Sequence, residues 1–225
     1  MAYTAQVIIA FSAGNDANLI SKSIDALKHK AERSCLPTFS GVLEDPPAPK
    51  IELNKLTAFF AVYGQKAKGD EQKSKGVRIY LLGHAAWLAH KLGTWSSEEV
   101  ADLLGGAKFT GKGVISIIGC EAARNLDNDY PAEVTDWEES FASKLQYHLK
   151  GKYSVESPIL ARIRSVGVFS DIHKEIFSVA KEFEDTKGRK FILSKDDIRI
   201  NKAESTKLRF YWDGGKQMRE WVGYY

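Results

Sequence analysis

The spacing of apolar and polar residues predicts that strands and helices alternate along most of the chain. Residues 6–12 (QVIIAFS), 77–82 (VRIYLL) and 114–118 (VISII) are apolar, β-rich runs short enough to be buried central strands. Residues 18–30 place apolar side chains at the spacing of one helix face. Because strand-then-helix units favour parallel sheets with helices on both sides, the pattern predicts an α/β fold with a mostly parallel central sheet.

Two helix starts are predicted from the spacing of a capping box. Ser96 and Glu99 are three residues apart and predict a short helix through Leu104. Thr135 and Glu138 have the same spacing and predict a helix through about Leu149. Each of these helices would follow one of the predicted strands, as a parallel sheet requires.

The connecting segments and the C-terminal part have a different pattern. Residues 34–50 contain Pro37, Pro46, Pro47 and Pro49 and are predicted to be a loop, as is the charged segment 64–76. Between these loops, residues 57–63 (TAFFAVY) predict a strand. Residues 189–193, 197–202 and 207–212 predict short strands with tight spacers, which form an antiparallel β flap.

Composition limits the classes of protein that fit. The chain has 225 residues, of which 44% are hydrophobic and 27% charged, as expected for one folded domain. No apolar run approaches the roughly 18 residues of a membrane span, and the N-terminus lacks a classical signal peptide, so neither is expected. The two cysteines, Cys35 and Cys120, cannot form a disulfide framework, and the histidines lack metal-ligand spacing, so we expect a reducing compartment and no metal.

Basic residues concentrate near the C-terminus. Residues 187–209 contain eight bases against three acids, although the whole chain has a net charge of only +3. Lys207 and Arg209 would share one face of a strand, and Arg189 and Lys190 open another strand, so several cations could converge on a compact polyanion. The alternative is an ordinary solvated basic face. Nucleic acid is not expected, because its binding sites usually have a longer basic stripe with interleaved aromatic residues.

A histidine and a cysteine follow two of the predicted strands at matching positions. His84 follows LLG and Cys120 follows IIG, which would place both at the carboxyl edge of the sheet, where reactive groups collect in parallel sheets. A thiolate nucleophile beside an imidazole is the arrangement of a cysteine hydrolase. Backbone N–H groups near Gly83 or Gly119 would then be the candidates for an oxyanion hole. The alternative is a buried strand-end cysteine and an ordinary loop histidine.

Several of these segments resemble one known family. QVIIAF with the following helix ending in LKHKAERS, the strand VRIYLLGHA, the segment LGTWSSEEVADLL, the strand VISIIGCEA and the C-terminal GRKFILSKDDIRINKAESTKLRFYWD are together similar to a protease domain. This is the inositol hexakisphosphate-activated cysteine protease domain of multifunctional RTX toxins and large glucosylating toxins. The resemblance runs along most of the chain and implies a caspase-like fold.

The resemblance also implies roles for individual residues. His84 would be the general acid or base and Cys120 the nucleophile, in a dyad that needs no third carboxylate. The family's polyphosphate ligands match basic residues of this chain at the end of the first helix, six residues before the histidine and in the flap. These are Lys28, His29, Arg78, Arg189, Lys190, Lys202 and Lys207.

Some positions depart from the family pattern. Ala85 follows the histidine where glycine is usual, and Glu121 follows the cysteine where a small residue is common. Residues 34–76 are longer than in the family, and only residues 1–5 precede the first strand, whereas family members cut themselves after a leucine well upstream of it. We therefore expect action on other proteins, an excised or processed domain, or cleavage at an internal leucine such as Leu43.

The expected protein is thus a single cysteine endopeptidase domain over residues 1–225, with a catalytic core in 1–186 and a basic flap in 187–215. It would cleave after an apolar residue, leucine by resemblance, and inositol hexakisphosphate would be its allosteric activator. By resemblance it would be a monomeric bacterial toxin or effector protease that reaches a host cytosol by a non-classical route; otherwise it would be cytoplasmic. The alternatives are a catalytically silent polyphosphate-binding or adaptor module, which Glu121 beside the thiol favours, and a Cys-His enzyme acting on non-peptide substrates.

Overall fold

The computed structural model describes residues 3–13, 17–64, 76–86, 90–119, 122–123, 137–162, 166–168, 176–178, 183–184, 190–191 and 207–222. A seven-stranded, mostly parallel sheet organises these residues. Its parallel strands are β1 (Ala5–Phe11), β2 (Thr38–Leu43), β3 (Val77–Gly83), β7 (Gly113–Ile118) and β8 (Ile159–Arg162). Two antiparallel strands complete it, β13 (Lys207–Asp213) and β14 (Lys216–Trp221), in the order β14-β13-β8-β7-β3-β1-β2. The predicted α/β class with a mostly parallel central sheet is confirmed.

Helices cover the sheet on both faces. Helix α1 (Ala17–Glu32) packs through Ile20, Ile24 and Leu27 on one face, against alternate residues of β1 and β3. Helices α2 (Lys50–Tyr63), α3 (Ser97–Gly106) and α4 (Phe141–Tyr153) contribute to the larger core on the other face. The strands alternate between these two cores, because successive side chains of a strand point to opposite faces.

Two of the loop and strand predictions in residues 34–63 are wrong. Residues 57–63, predicted as a strand, form the second half of α2, which buries Leu56 and Phe60 one turn apart. A short apolar run does not distinguish a strand from a buried helix by its periodicity, and Pro49 at the N-cap makes no side-chain cap hydrogen bond that the sequence could have signalled. The predicted loop 34–50 contains β2, which pairs with β1 as an edge strand of the sheet.

One predicted helix start is confirmed and the other is displaced. Ser96 caps α3 in a complete capping box, in which its side chain accepts from Glu99 N–H and its own N–H donates to Glu99 Oε2 at 2.8 Å. The helix predicted from Thr135 instead begins after Ser140, which caps α4, and it continues to Tyr153. A 3₁₀ turn at Trp137–Glu139 precedes it, and Thr135 lies outside the described residues.

The remaining strands are short. Strands β4 (Ala85–Ala86), β5 (Lys91–Leu92) and β6 (Trp95–Ser96) form a small antiparallel sheet between β3 and α3. Strands β9 (Val166–Val168) and β10 (Ile176–Ser178) pair with each other, as do β11 (Phe183–Glu184) and β12 (Lys190–Phe191). The strand predicted at 207–212 is confirmed as β13, but β13 pairs with β8 and so extends the central sheet. The strand predicted at 197–202 lies outside the described residues.

Candidate active site and basic cluster

The ends of β3 and β7 bring the two candidate catalytic segments together. Leu82 pairs with Ile118 in the parallel register of these neighbouring strands. One residue further on, a Cβ built at Gly119 would lie 3.0 Å from the carbonyl oxygen of Gly83. His84 follows Gly83 directly, at the carboxyl edge of the sheet, and is exposed. Parallel sheets bind ligands at this edge.

The small β4–β5–β6 sheet fixes the backbone at His84. The N–H of Gly93 donates to the carbonyl oxygen of His84 at 2.7 Å. Gly93 has a φ of +62°, and a Cβ there would lie 2.8 Å from the carbonyl oxygen of Phe11, so glycine is required at this close approach. The imidazole is therefore presented to solvent from a backbone that is anchored on two sides.

Cys120 and Glu121 lie outside the described residues, but both flanks of this pair are described. Gly119 precedes them at the end of β7. Ala122 and Ala123 follow them and are both buried. The N–H of Ala123 donates to the carbonyl oxygen of Arg162 at 3.0 Å, and the carbonyl oxygen of Ala122 accepts from Ala142 N–H at 3.0 Å. Ala122 and Ala123 are thus attached to the start of α4 and to the end of β8, respectively.

Close packing accounts for the presence of glycine at positions 83 and 119, the two candidates for an oxyanion hole. A Cβ at Gly83 would lie 3.0 Å from Leu92 Cγ and 3.1 Å from the carbonyl oxygen of Phe11. A Cβ at Gly119 would lie 2.8 Å from Leu92 Cδ1. Since Leu92 is fully buried over both strand ends, no larger residue fits, whether or not either glycine has a catalytic role.

Basic residues collect on the α1 face of the sheet. Lys207 and Arg162 pair directly across β13 and β8. Their neighbours Leu208 and Ala161 point into the opposite core, so both cationic side chains lie on the α1 face. Arg78 occupies the same face of β3, because Tyr80 and Leu82, two and four residues later, pack against α1.

These cations act on one another. Burial lowers the pKa of Lys207 to about 8, together with the positive charges of Arg162, Arg78 and Lys30. Arg162 is only 8% exposed. We call Lys30, Arg78, Arg162 and Lys207 the basic cluster. Like charges that lower the pKa of a neighbouring group in this way repel it, and a bound anion would relieve the repulsion at Lys207.

Two buried polar atoms adjoin the cluster. Within the described part of the chain, Arg78 Nε and Tyr80 Oη have no hydrogen-bond partner. The Arg78 guanidinium carbon lies 4.7 Å from the centre of the Tyr80 ring and 5.2 Å from that of Tyr3. Tyr80 is 3% exposed, and burial raises its pKa to about 12, so its hydroxyl remains a donor. Unsatisfied donors beside a group of cations suit the oxygen atoms of a phosphate.

The predicted polyphosphate ligands are distributed unevenly. Arg78 and Lys207 belong to the basic cluster. Lys28 and His29 lie in the last turns of α1, where His29 Nδ1 is 3.6 Å from Glu32 Oε2. Arg189 and Lys202 lie outside the described residues, and Lys190 begins β12 with its side chain undescribed. Sequence reasoning missed Lys30 and Arg162. Arg162 lies two residues after Leu160 and therefore on the same face of β8. Its place in a cationic site can be recognised only when the pairing with Lys207 is known.

Other features of the described residues bear on cofactors and membranes. They contain no group of three or more His, Cys, Asp or Glu side chains that could hold a metal ion. None of the helices described is both long enough and apolar enough to cross a membrane. No protein-family model matches the chain, and no curated protein matches it.

Proposed function

We propose that this protein is a cysteine endopeptidase in which His84 and Cys120 form the catalytic dyad. The observation that carries the proposal is the Leu82–Ile118 pairing with the close approach of Gly83 and Gly119. His84 and Cys120 each follow one of these glycines by a single peptide, and consecutive Cα atoms are about 3.8 Å apart. An imidazole and a thiol that follow adjacent parallel strands in this way can reach a common substrate.

The proposed reaction follows cysteine protease chemistry. The Cys120 thiolate attacks the scissile carbonyl carbon, and His84 in its protonated form then donates a proton to the leaving amine nitrogen. The resulting thioester is hydrolysed by a water molecule, from which neutral His84 takes a proton as the hydroxide attacks. The thiolate leaves and the acid product departs. The exposure of His84 allows an extended peptide to approach it from solvent.

The basic cluster supports activation by a polyphosphate. Inositol hexakisphosphate, the activator implied by the family resemblance, would supply a dense negative charge to Arg78, Arg162 and Lys207. Arg162 also connects this site to the proposed nucleophile, because its carbonyl oxygen accepts from the N–H of Ala123, three residues after Cys120. Binding that fixes the end of β8 would therefore fix the base of the segment that carries the thiol.

The resemblance alone supports three further parts of the proposal: cleavage after leucine, autoprocessing and action in a host cytosol. They rest on the sequence segments that match the protease domain of the toxins. The cluster itself would serve equally well in a polyphosphate-binding or adaptor module, since its cations do not depend on Cys120. This second function is the one that the basic cluster favours if the dyad is inactive.

Cleavage of a leucine-containing peptide reporter tests the proposal. Wild-type protein, Cys120→Ala and Cys35→Ala would be assayed with and without inositol hexakisphosphate, with a thermal melt of each. Cys35 is exposed and distant in sequence from the proposed site, so Cys35→Ala is the matched control. We expect activity that requires the ligand and is lost only in Cys120→Ala.

Two outcomes would contradict the endopeptidase. A ligand-induced rise in melting temperature without cleavage would identify a binding module. Hydrolysis of ester or thioester reporters without amide cleavage would identify an enzyme of non-peptide substrates.

A further inference from the structure

A cavity opens beside the proposed active site, between the loop after β2 and helices α2 and α3. It has a volume of about 280 Å³. Its walls are mostly apolar, with two carboxylates among them, and they are formed by Pro46, Pro47, Ala48, Leu53, Trp95, Glu99, Asp102 and Leu103. This volume is enough for one large apolar side chain with part of its backbone. The cavity is separate from the basic cluster, which lies on the α1 face.

The cavity lies a short distance from His84 along the same edge. Ala85, Leu92 and Trp95 form one row across β4, β5 and β6. Two strand spacings of about 4.8 Å place Trp95 about 10 Å from the residue after His84. An extended peptide covers this distance with about three residues, at about 3.3 Å each.

The walls are preformed. The carbonyl oxygen of Glu44 accepts from Trp95 Nε1 at 3.0 Å and from Thr94 Oγ1 at 2.8 Å, which holds the proline loop against β6. The Trp95 ring packs on Phe11, with ring centres 5.3 Å apart. A preformed apolar site loses little conformational entropy when it binds a ligand.

The polar groups of the cavity are acidic. Burial acts against the charged form of Asp102, but hydrogen bonds from Lys152 and Tyr153 outweigh it and hold the pKa of Asp102 below its usual value. Glu98, Glu99 and Asp102 lie on α3, and Lys152 contacts Glu98 and Asp102. Lys152 is shared between Asp102 in the wall and Glu98 outside it, and Glu99 also lies in the wall, so the wall carboxylates favour a cation next to the apolar side chain.

We infer that this cavity is a subsite for the protein substrate, which takes a large apolar side chain with a basic neighbour about three residues from the scissile bond. The inference rests on the proposed endopeptidase function and names the substrate class of that same site. A Phe side chain that enters the cavity loses most of its contact with water, whereas an Ala in its place gains little. Substrates that carry Phe should therefore bind at least about tenfold more tightly than those that carry Ala.

Two pairs of variants isolate the cavity. Ala48→Phe fills it from one wall, and Ala58→Phe adds the same ring at an exposed position of α2 outside it. Asp102→Asn removes a wall carboxylate, and Glu98→Gln removes a carboxylate that contacts the same Lys152 without lining the cavity. None of these residues belongs to the dyad or to the basic cluster.

The experiment compares peptides that share one scissile leucine. They carry Phe-Arg, Phe-Gln or Ala-Ala three residues from it, in separate sets upstream and downstream. Cleavage is measured as kcat/KM with inositol hexakisphosphate present, and binding of fluorescein-labelled peptides to Cys120→Ala is measured by anisotropy. We expect the order Phe-Arg, Phe-Gln, Ala-Ala in one of the two placements. Ala48→Phe should abolish the preference for Phe, Asp102→Asn should abolish only the advantage of Arg, and both controls should keep the wild-type order.

The possible results distinguish failure of the subsite proposal from failure of the endopeptidase proposal. Cleavage without a preference, or a preference that Ala48→Phe leaves intact, would overturn the subsite while the endopeptidase stands. Preferential binding without cleavage, lost in Ala48→Phe, would support the cavity as a peptide site and contradict the endopeptidase. Failure of all labelled peptides to bind would overturn the subsite.

Discussion

Arg162 and Lys207 face each other directly across the antiparallel β8–β13 pair, on the side of the sheet that α1 covers. Like charges in this position destabilise a sheet. Burial and the neighbouring charge of Arg162 lower the pKa of Lys207. The carbonyl oxygen of Arg162 also accepts a hydrogen bond from the N–H of Ala123, three residues after Cys120. The positive charges at this point would attract the polyanion of the proposed function, which makes the pair a suitable element for a ligand-controlled switch.

The first prediction is that removing one of these charges separates stability from ligand binding. Lys207→Met should stabilise the free protein by roughly 0.5 kcal/mol, because it removes a cross-strand repulsion and a buried charge. It should weaken inositol hexakisphosphate binding at least about tenfold, through the loss of a charge-assisted contact. Denaturant melts and calorimetric titration measure the two effects.

The control for both measurements is Lys216→Met. Lys216 is exposed on β14, outside the basic cluster, and its replacement should change neither quantity appreciably. A Lys207→Met protein that binds the polyphosphate as tightly as the wild type would contradict the placement of the site.

The second prediction concerns pH. Since the folded pKa of Lys207 is about 8, below its unfolded value, the ligand-free fold binds fewer protons than the unfolded chain between about pH 8 and 10.5. The contribution of Lys207 to stability should therefore rise through that range. A bound polyanion raises this pKa, so binding should take up a proton and weaken as the pH rises above 8.

Calorimetry in buffers of different ionisation enthalpy measures that proton uptake. Lys207→Arg keeps the charge at every accessible pH and should remove the proton uptake above pH 8 while retaining affinity. Uptake that is unchanged in Lys207→Arg would show that another group titrates.

The third prediction tests the buried amide network that fastens β13 and β14 to α4. Gln146 Nε2 donates to the carbonyl oxygens of Phe210 at 3.0 Å and Ser157 at 3.2 Å, and Gln146 Oε1 accepts from Gln217 at 2.7 Å. Gln146→Leu leaves all three partners buried without it and should lower the free energy of unfolding by about 2–4 kcal/mol. Tyr147→Phe, on the exposed side of α4, should change it by less than about 0.5 kcal/mol. Equal stability of the two variants would contradict the network.

The fourth prediction uses two adjacent glycines of α3. A Cβ at Gly105 would lie 2.3 Å from the Tyr153 ring, whereas a Cβ at Gly106 would meet only Leu53 Cδ1 at 3.8 Å. Gly105→Ala should therefore destabilise the protein by about 1–3 kcal/mol and break the Tyr153–Asp102 hydrogen bond. Gly106→Ala should be neutral or slightly stabilising. Thermal melts distinguish the two, and a neutral Gly105→Ala would contradict this packing of α3 on α4.

The sequence was sufficient to predict the strands that are buried on both faces. Residues of β1, β3 and β7 contribute to the cores on both faces of the sheet, and their apolar runs are as short and as rich in β-branched residues as buried strands require. Helix α2 was mistaken for a strand because its densest apolar stretch is shorter than the helix. Strand β2 was hidden between prolines, since its pairing with β1 is a tertiary contact.

Local sequence also limited what could be predicted about the site. His84 was identifiable because its strand, glycine and histidine are consecutive. Arg162 was not, because a single base at the end of β8 becomes part of a cationic site only through its partner on β13, 45 residues further along the chain. The cavity beside Trp95 was likewise unpredictable, since its walls come from two stretches of the chain, 46–53 and 95–103, that only the fold brings together.

The most direct test of the central claim is to locate a covalent adduct. The protein would be treated with a leucine-containing peptidyl acyloxymethyl ketone, with and without inositol hexakisphosphate, and the modified cysteine identified by mass spectrometry. The account predicts modification of Cys120 that requires the polyphosphate and is lost in His84→Ala, while Cys35 reacts only with a non-selective alkylating agent. Modification of Cys35 and Cys120 at equal rates, unaffected by the ligand or by His84→Ala, would contradict it.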